Sequence, residues 1–307
     1  MRIAVIDMGT NTFNLLIADA CANNFTVVFQ NKLGVMLGKG GINKGLINDS
    51  AYSRGLKAIQ THLESTRMHE VETSNIKAFA TSAIRSAQNG HNFVHEIRTQ
   101  YGIDVEIIDG NREAELIYKG VNASMHLADQ KALIMDIGGG SNEFIICDSQ
   151  KIYWKQSFPL GMSRLLDRFS PSDPISKTEI AAIESYLTDN LSLLWNAVVL
   201  HKPTALIGSS GSFDTYRNVL YYGKDNLQHA REFILEEYLV LHQLLLDSSL
   251  QQRLQMKGMD ELRAEMIVLA SILTNLVLDR TGIRQIMQSN FALKEGAIVE
   301  MLANQIN

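Results

Sequence analysis

The chain has 307 residues, of which 46% are hydrophobic and 20% charged. This composition excludes a disordered or fibrous chain, and the length favours two globular domains. The 28 Lys and Arg stand against 33 Asp and Glu, and the net charge of −5 argues against a general nucleic-acid binder, which carries a basic excess.

Neither the N-terminus nor any apolar stretch predicts a membrane segment. The first residues pass directly into a strand-like run, so we expect no signal peptide. The most apolar stretch, 266–278, contains three polar side chains and is shorter than the roughly 20 residues of a membrane span, which predicts a buried helix. The two cysteines, Cys21 and Cys147, lie far apart and favour a reducing compartment. We predict a soluble, cytoplasmic protein without membrane partners.

Two segments of the chain repeat one pattern. Residues 3–19 (IAVIDMGTNTFNLLIAD) and 132–148 (ALIMDIGGGSNEFIICD) each have four apolar residues, Asp-x-Gly, a turn of small residues, an apolar strand and a second Asp. The repeat pairs Asp7 with Asp136, Gly9 with Gly138 and Asp19 with Asp148. We predict two related halves, each opening with a β-hairpin.

Strands and helices alternate between the two hairpins. A strand-like run at 25–35 leads to a glycine-rich loop at 37–45, after which Asn48 or Asp49 caps a helix. The next elements are a buried strand at 76–80, a helix around 91–99, a strand at 105–109 and a helix around 112–121. This alternation predicts a mostly parallel sheet with helices on its faces.

The second half is more helical. Ser176 and Glu179 form an S-x-x-E capping box for one long helix that continues through Leu194, and Gly282 is an expected helix C-cap. The other elements are strands at 151–158, 204–208 and 284–288 and helices around 236–247, 261–280 and 292–303. The polar stretch 123–131 divides the chain into domains 1–124 and 125–307, which we expect to pack directly across a cleft, with the last helix able to reach back to the first domain.

Three loops of small residues follow predicted buried strands. They are formed by Gly9, Thr10, Asn11 and Thr12, by Gly138, Gly139, Gly140 and Ser141, and by Gly208, Ser209, Ser210, Gly211 and Ser212. Backbone N–H groups in such a turn can converge on a phosphate, and glycine lets the anion approach closely. One loop alone is equally typical of an ordinary hairpin turn, but two in matched positions favour a phosphate site in the cleft.

Seven segments, spread in order over almost the whole chain, resemble the exopolyphosphatase/guanosine-pentaphosphate phosphatase family of the actin/hexokinase-like superfamily. They are DMGTNTF (7–13), TSAIR (81–85), IIDGNREAELIYKGV (107–121), DIGGGSNEF (136–144), PLGMSRL (159–165), GSSGS (208–212) and ALKEG (292–296). The resemblance implies an α/β fold of two actin-like (ribonuclease H-like) domains with an interdomain cleft. It also implies a homodimer.

The same resemblance assigns roles to residues. It places the catalytic glutamate at Glu113, which would orient or deprotonate the attacking water. It makes Asp136 and Glu143 ligands of Mg²⁺, directly or through water, because magnesium prefers one or two carboxylates with substrate oxygens and waters. Arg85 would grip phosphate through its guanidinium fork. The expected phosphate-binding residues are Gly9, Thr10, Asn11, Thr12, Arg85, Gly138, Gly139, Gly140, Ser141, Gly208, Ser209, Gly211 and Ser212.

Each of these residues also has a purely structural interpretation. A glutamate in the first turn of a helix, such as Glu113, favours the helix dipole without catalysis. Asp136 could satisfy a turn, Glu143 could face solvent from its strand, and Arg85 could be a surface arginine. Asp7 either holds a water molecule, free or metal-bound, or only shapes its loop. Arg164 matches a family arginine to which we assign no role.

Two further features have simple interpretations. His91 and His95 stand at i and i+4, but no third metal ligand lies nearby in sequence, which indicates a solvated helix face. Lys39 and Lys44 could contact a polyanion or lie in a solvated loop, and both alternatives stay open.

The chain also departs from the family pattern. Arg112 stands where an acidic residue commonly precedes the catalytic glutamate, and Glu115 where an arginine commonly follows, so an i,i+3 charge pair is interchanged. Asn142 replaces a threonine, and Met36 and Lys39 replace an arginine and a glutamate. Longer family members add a helical HD-type domain. Processive hydrolysis of long polyphosphate is therefore the family property that the resemblance implies least for this chain. These departures bear on the substrate more than on the fold.

We predict an enzyme that hydrolyses the terminal phosphoanhydride of inorganic polyphosphate in a Mg²⁺-dependent reaction and releases orthophosphate. The nearest alternative removes the 5′ γ-phosphate of guanosine pentaphosphate. A kinase-like phosphotransferase of the same superfold would need ATP and an acceptor alcohol. A catalytically weak regulator that binds polyphosphate or an alarmone is a minor alternative, which the interchanged charges and the chain length leave open.

Overall fold

The computed structural model describes residues 1–21, 24–125, 127, 130–223 and 229–306. Three positions of the predicted boundary stretch 123–131, namely 126, 128 and 129, lie outside these residues. The chain forms two compact units, one made of Met1–Ala123 and the residues from Ala292 onward, the other of Ser124–Phe291. The last helix, which the division into 1–124 and 125–307 counted with the second domain, therefore lies with the first unit.

The strands and helices have the following bounds. The strands are β1 (Arg2–Met8), β2 (Thr12–Cys21), β3 (Asn24–Gly34), β4 (Ile76–Ala80), β5 (Val105–Ile107), β6 (Ala132–Ile137), β7 (Asn142–Cys147), β8 (Ile152–Phe158), β9 (Ala205–Ser209), β10 (Ala230–Phe233) and β11 (Gln285–Ser289). The helices are α1 (Asp49–Met68), α2 (Ser82–Ser86), α3 (Gly90–Tyr101), α4 (Gly110–Ser124), α5 (Met162–Phe169), α6 (Lys177–Asn190), α7 (Ser192–His201), α8 (Ser210–Leu220), α9 (Leu235–Asp247), α10 (Leu250–Leu254), α11 (Ile267–Thr281) and α12 (Leu293–Ile306). Two short 3₁₀ turns occupy Ile42–Lys44 and Thr73–Asn75.

The sheets of the two units share one order of five strands, and the second sheet adds β10 antiparallel to β11 at its edge. The first sheet runs β3-β2-β1-β4-β5, and the second runs β8-β7-β6-β9-β11-β10. In each sheet the first three strands are antiparallel and the next two are parallel to the first strand of the hairpin. The repeated segments form the hairpins β1–β2 and β6–β7, as the sequence predicts.

The parallel strands bring their carboxyl ends to one edge of each sheet. In the first unit Thr81 follows β4 and donates its N–H to the Met8 carbonyl (3.3 Å), and Ile108 follows β5 and donates to the Ala80 carbonyl (3.1 Å). In the second unit the glycine loop follows β6, and Ser210 follows β9. Residues far apart in sequence therefore meet at these edges, where α/β sheets usually bind ligands.

Apolar residues fill both units. All residues of β6 and β7 are buried, as expected for strands covered on both faces. The apolar stretch 266–278 forms most of α11, which packs in the core of the second unit, as predicted. Within the described residues, no helix has both the length and the apolar character needed to span a bilayer.

The long helix predicted after Ser176 is divided in two. The capping box of Ser176 and Glu179 is present, but the helix ends at Asn190 and α7 begins two residues later, because Leu191 has a non-helical backbone (φ −102°, ψ 19°). The Trp195 indole N–H donates to the Thr188 carbonyl (2.9 Å), which would accept the N–H of residue 192 in a continuous helix.

Two other predicted boundaries differ from the structure. α11 begins at Ile267 rather than near 261, because Asp260 accepts the N–H groups of Leu262 and Arg263 and holds this segment in turns. The predicted third loop at 208–212 is not a loop, since β9 passes directly into α8 through Ser210, whose φ is +66°. The predicted C-cap of α11, Gly282, has the left-handed conformation (φ 68°).

Candidate active site

Glu113 lies in the first turn of α4, directly after β5. Asp109 caps this helix: its Oδ1 accepts the N–H of Arg112 (2.8 Å), and its carbonyl accepts the N–H of Glu113 (2.9 Å). The Glu113 residue is only 8% exposed. A buried carboxylate at this position needs a polar partner, because desolvation of an isolated charge is costly.

Arg85 is that partner. Its Nη1 donates to the Glu113 Oε2 (2.9 Å) and to the Ile108 carbonyl (2.8 Å), and both side chains are largely buried. Arg85 belongs to α2 and Glu113 to α4, so the edge formed by β4 and β5 brings together two residues 28 positions apart. The structure thus places the two in one ion pair, in which Arg85 fixes the orientation of the carboxylate.

Hydrogen bonds within the loop after β1, and from the loop to the glycine-rich segment 37–45, hold this loop in place. Gly9 donates its N–H to the Thr12 carbonyl (3.0 Å), and the carbonyl of Thr10 accepts the N–H of Leu37 (2.7 Å). Asp7 on β1 accepts a hydrogen bond from the amide of Asn14, its cross-strand partner on β2 (3.1 Å), and its role stays a prediction. The glycine-rich loop 37–45 therefore holds the Gly9–Thr12 loop in place.

Asp136 and Glu143 are direct cross-strand partners on β6 and β7. Asp136 is 6% exposed and its Oδ2 accepts the hydroxyls of Ser209 (2.9 Å) and Ser210 (2.7 Å). Glu143 is 1% exposed and its Oε1 accepts the Ser157 hydroxyl (2.6 Å). Two buried carboxylates on one face of neighbouring strands, about 5 Å apart at Cβ by strand geometry, form a compact acidic pair. Glu143 does not face solvent.

The loop Gly138–Ser141 packs against the start of α5. Its carbonyls accept hydrogen bonds from this segment: Gly138 from the N–H of Met162 (3.0 Å), Gly139 from the N–H of Ser163 (2.8 Å) and Gly140 from the Nε of Arg164 (2.8 Å). A Cβ at Gly161 would lie 2.4 Å from the Gly139 carbonyl, so only glycine permits this contact. The sequence did not assign a role to Arg164, and the structure places it on this loop.

Arg263 is a residue that the sequence analysis missed. It is 8% exposed, and its guanidinium packs over Gly211, so that a Cβ there would lie 2.5 Å from Nη2. Within the described residues, its Nε has no hydrogen-bond partner. The only signal in the sequence was an arginine immediately before the most apolar helix, and this signal is weak. A buried cation at the start of α8 adds positive charge beside the Asp136 region.

Arg112 of α4 has a main ion-pair partner other than the predicted Glu115. Arg112 contacts Glu115 at 3.7 Å, but it binds Glu300 of α12 more closely through both terminal nitrogens, and Lys119 also contacts Glu300. The Arg112 guanidinium is the main cause that lowers the pKa of Glu300 to about 2. This ion-pair cluster fastens α12 to the helix that carries Glu113.

The remaining candidates lie at the surface. His91 and His95 are both exposed on α3, and in the described parts of the chain no three His, Cys, Asp or Glu residues cluster as metal ligands. Lys39 and Lys44 are exposed as well. Contact of these lysines with a polyanion stays a prediction.

Two units whose sheets share one order of five strands, each with a small-residue loop at the carboxyl edge of its sheet, define a protein of actin-like, ribonuclease H-like architecture. The chain belongs to the Ppx/GppA phosphatase family, whose model matches residues 16–305. The members of this family that resemble it are phosphatase-like hydrolases of the exopolyphosphatase type.

Solved structures support the same assignment. An exopolyphosphatase from Cytophaga hutchinsonii is 40% identical, with a TM-score of 0.96 over 99% of this chain and 98% of that one. A Ppx/GppA family member from Aquifex aeolicus shares the fold at 22% identity, with a TM-score of 0.84 over 100% and 99% of the two chains.

A curated relative is longer than this chain. The bifunctional 3-dehydroquinate synthase/phosphatase of Fusobacterium nucleatum is 28% identical over 98% of this chain. The match covers 47% of that relative, so the chain spans about half its length.

Proposed function

We propose that the protein is an exopolyphosphatase that hydrolyses the terminal phosphoanhydride of inorganic polyphosphate and releases orthophosphate. The observation that carries this proposal is the buried acidic pair of Asp136 and Glu143 beside the loop Gly138–Ser141, in a chain of the Ppx/GppA family. Phosphoryl transfer to water requires mainly positioning and charge neutralisation, and these residue types provide both.

Glu113 is the proposed general base. Its carboxylate would orient or deprotonate the water that attacks the terminal phosphorus, while the phosphorus–oxygen bond to the rest of the chain breaks. The Arg85 Nη1 holds this carboxylate at 2.9 Å. The guanidinium has two further nitrogens, which gives it the capacity to contact a phosphate oxygen as well.

Asp136 and Glu143 fit a magnesium ion. They offer hard carboxylate oxygens, and each is already oriented by serine hydroxyls: Ser209 and Ser210 on Asp136, and Ser157 on Glu143. Two carboxylates suffice, because Mg²⁺ completes its shell with waters and substrate phosphates. When bound, Mg²⁺ would neutralise negative charge on the phosphate oxygens.

The proposed phosphate-binding groups lie on both units. In the first unit they are the loop Gly9–Thr12 and Arg85. In the second they are the loop Gly138–Ser141, the start of α8 from Gly208 to Ser212, and Arg263, whose buried guanidinium supports an anion there. Helix α8 begins at Ser210, so its first N–H groups add to this positive potential.

The test is phosphate release from three substrates, with MgCl₂ and without ATP. We expect turnover of short polyphosphate, measured with a colorimetric phosphate assay. Faster phosphate release from guanosine pentaphosphate than from polyphosphate would make the nucleotide the preferred substrate and contradict the polyphosphate assignment. Turnover of long polyphosphate would test processivity. Binding of all three without release would contradict the enzyme and favour a regulator that binds the same anions.

A further inference from the structure

The loop Gly138–Ser141 is closed by the Gly138 N–H, which donates to the Ser141 carbonyl (3.1 Å), and it is held to α5 through its carbonyls. The three carbonyls of Gly138, Gly139 and Gly140 all accept hydrogen bonds from the first residues of α5 or from a side chain of that helix. Helix α5 begins with N–H groups that have no partner inside the helix, so these bonds satisfy both the helix and the loop.

Peptide planarity then fixes the direction of the N–H groups. In a trans peptide, the carbonyl of one residue and the N–H of the next point to opposite sides of one plane. With the three carbonyls turned toward α5, the N–H groups of Gly139, Gly140 and Ser141 point away from it. All three residues are buried, and no described residue accepts a hydrogen bond from these N–H groups. Buried N–H groups normally have a partner, which indicates an anion or water at this place.

The third peptide differs from the other two. The carbonyls of Gly138 and Gly139 are held by backbone N–H groups at 3.0 and 2.8 Å. The Gly140 carbonyl receives only a long backbone contact from the Gly161 N–H (3.4 Å), and its short bond comes from the Arg164 Nε (2.8 Å). A contact of 3.4 Å is weak, so one side chain controls this peptide.

We propose that Arg164 is a positioning residue of the phosphate loop. It donates its Nε–H to the Gly140 carbonyl and thereby directs the Ser141 N–H toward the bound phosphate. The inference rests on the proposed function, because it takes the loop Gly138–Ser141 as a phosphate site. In this proposal Arg164 affects phosphate binding by fixing the direction of the Ser141 N–H, and the positive charge of its guanidinium makes no contribution.

Three substitutions separate the donor from the charge. In Arg164→Gln the amide Nε2 stands at the same number of bonds from Cα as the arginine Nε, without the charge. In Arg164→Lys the charge remains, but a carbon occupies this position and the ammonium lies one atom further. In Arg164→Met neither donor nor charge remains. Arg168→Met, one turn along the exposed side of α5, controls for loss of a cation from the helix.

The first readout is binding of inorganic tripolyphosphate in magnesium-free buffer, measured by calorimetry, with thermal unfolding recorded for each variant. We expect Arg164→Met and Arg164→Lys to bind about five- to tenfold more weakly than wild type, the effect of one lost hydrogen bond. Arg164→Gln should restore binding to within about twofold of wild type, and Arg168→Met should bind like wild type. Any other order of the three Arg164 affinities overturns the proposal.

The second readout does not depend on a substitution. In wild-type protein with ¹⁵N-labelled glycine and serine, saturation with tripolyphosphate should shift the amide resonances of Gly139, Gly140 and Ser141. An unchanged Ser141 amide overturns the proposal even if every Arg164 variant unfolds. Wild-type protein that binds tripolyphosphate but releases no phosphate refutes the proposed function alone, since the affinities still decide the role of Arg164. Absence of binding by wild type refutes both.

Discussion

Replacing Glu113 with glutamine removes one charge and leaves the local contacts nearly intact. The glutamine oxygen can still accept from the Arg85 Nη1, which lies 2.9 Å from the glutamate oxygen. The variant loses the charge-assisted part of a largely buried hydrogen bond, which costs about 1 to 3 kcal/mol of unfolding free energy. Since a domain is typically stable by about 5 to 15 kcal/mol, the variant should fold.

The effect on turnover should be larger. General-base catalysis contributes about 10²- to 10⁴-fold, which corresponds to about 3 to 5 kcal/mol of activation free energy. We therefore expect kcat for phosphate release from tripolyphosphate to fall by at least about 100-fold in Glu113→Gln, with KM within about threefold of wild type. The assay is initial-rate phosphate release, with thermal unfolding of the same preparations.

Glu115→Gln is the matched control, because it removes a more exposed carboxylate from the same helix. It should keep kcat within about twofold, since surface substitutions away from the site have small effects. A folded Glu113→Gln protein with turnover close to wild type would refute the assignment of Glu113 as the base. An equal loss in Glu115→Gln would show that the net charge of the helix matters, and not the position of one carboxylate.

Three other substitutions have defined outcomes. Gly161→Ala places a Cβ 2.4 Å from the Gly139 carbonyl, so the loop must shift, and tripolyphosphate binding measured by calorimetry should weaken at least about tenfold. Asp136→Asn removes a proposed metal ligand, so the Mg²⁺ concentration for half-maximal phosphate release should rise at least about tenfold, while EDTA should stop release by wild type. In Glu300, the Arg112 contact lowers the pKa to about 2, below the ordinary 4.5, so its stabilisation is complete above about pH 5 and is lost as the pH falls toward 2. Glu300→Gln should therefore cost about 1 to 2 kcal/mol in urea unfolding at pH 7 and roughly 40% of that at pH 3, and equal losses at both would contradict this reasoning.

Local patterns in the sequence were sufficient for most of the fold. The repeated Asp-x-Gly hairpins, the alternation of strands and helices, the capping box at Ser176 and the C-cap Gly282 all have short-range physical causes, and each is present in the structure. The predicted boundaries differ from the structure where particular side-chain and turn contacts, which apolar periodicity does not encode, end a helix or delay its start. The helix after Ser176 breaks because an indole takes a carbonyl of the previous turn, and no local propensity signals this.

The candidate site was also predicted only in part from the sequence. Small residues after buried strands were sufficient to select the glycine loop as a candidate, whereas Glu113 and Asp136 were selected because their segments resemble the family. Neither signal could show that Arg85 is bound to Glu113, because the two are 28 residues apart and meet only through the parallel pairing of β4 and β5. Arg263 was missed for the same reason, since its significance comes from burial over Gly211.

The sequence by itself determined which residues can carry chemistry and which segments become strands and helices, because apolar periodicity, glycine and capping residues act over a few positions. Only the tertiary structure decided how those residues are oriented. The carbonyls of Gly138, Gly139 and Gly140 are turned toward α5, which begins more than 20 residues later and donates hydrogen bonds to them, and Arg112 binds Glu300 across 188 positions. Such contacts form when packed strands and helices bring distant residues together, so their partners cannot be read from neighbouring positions in the chain.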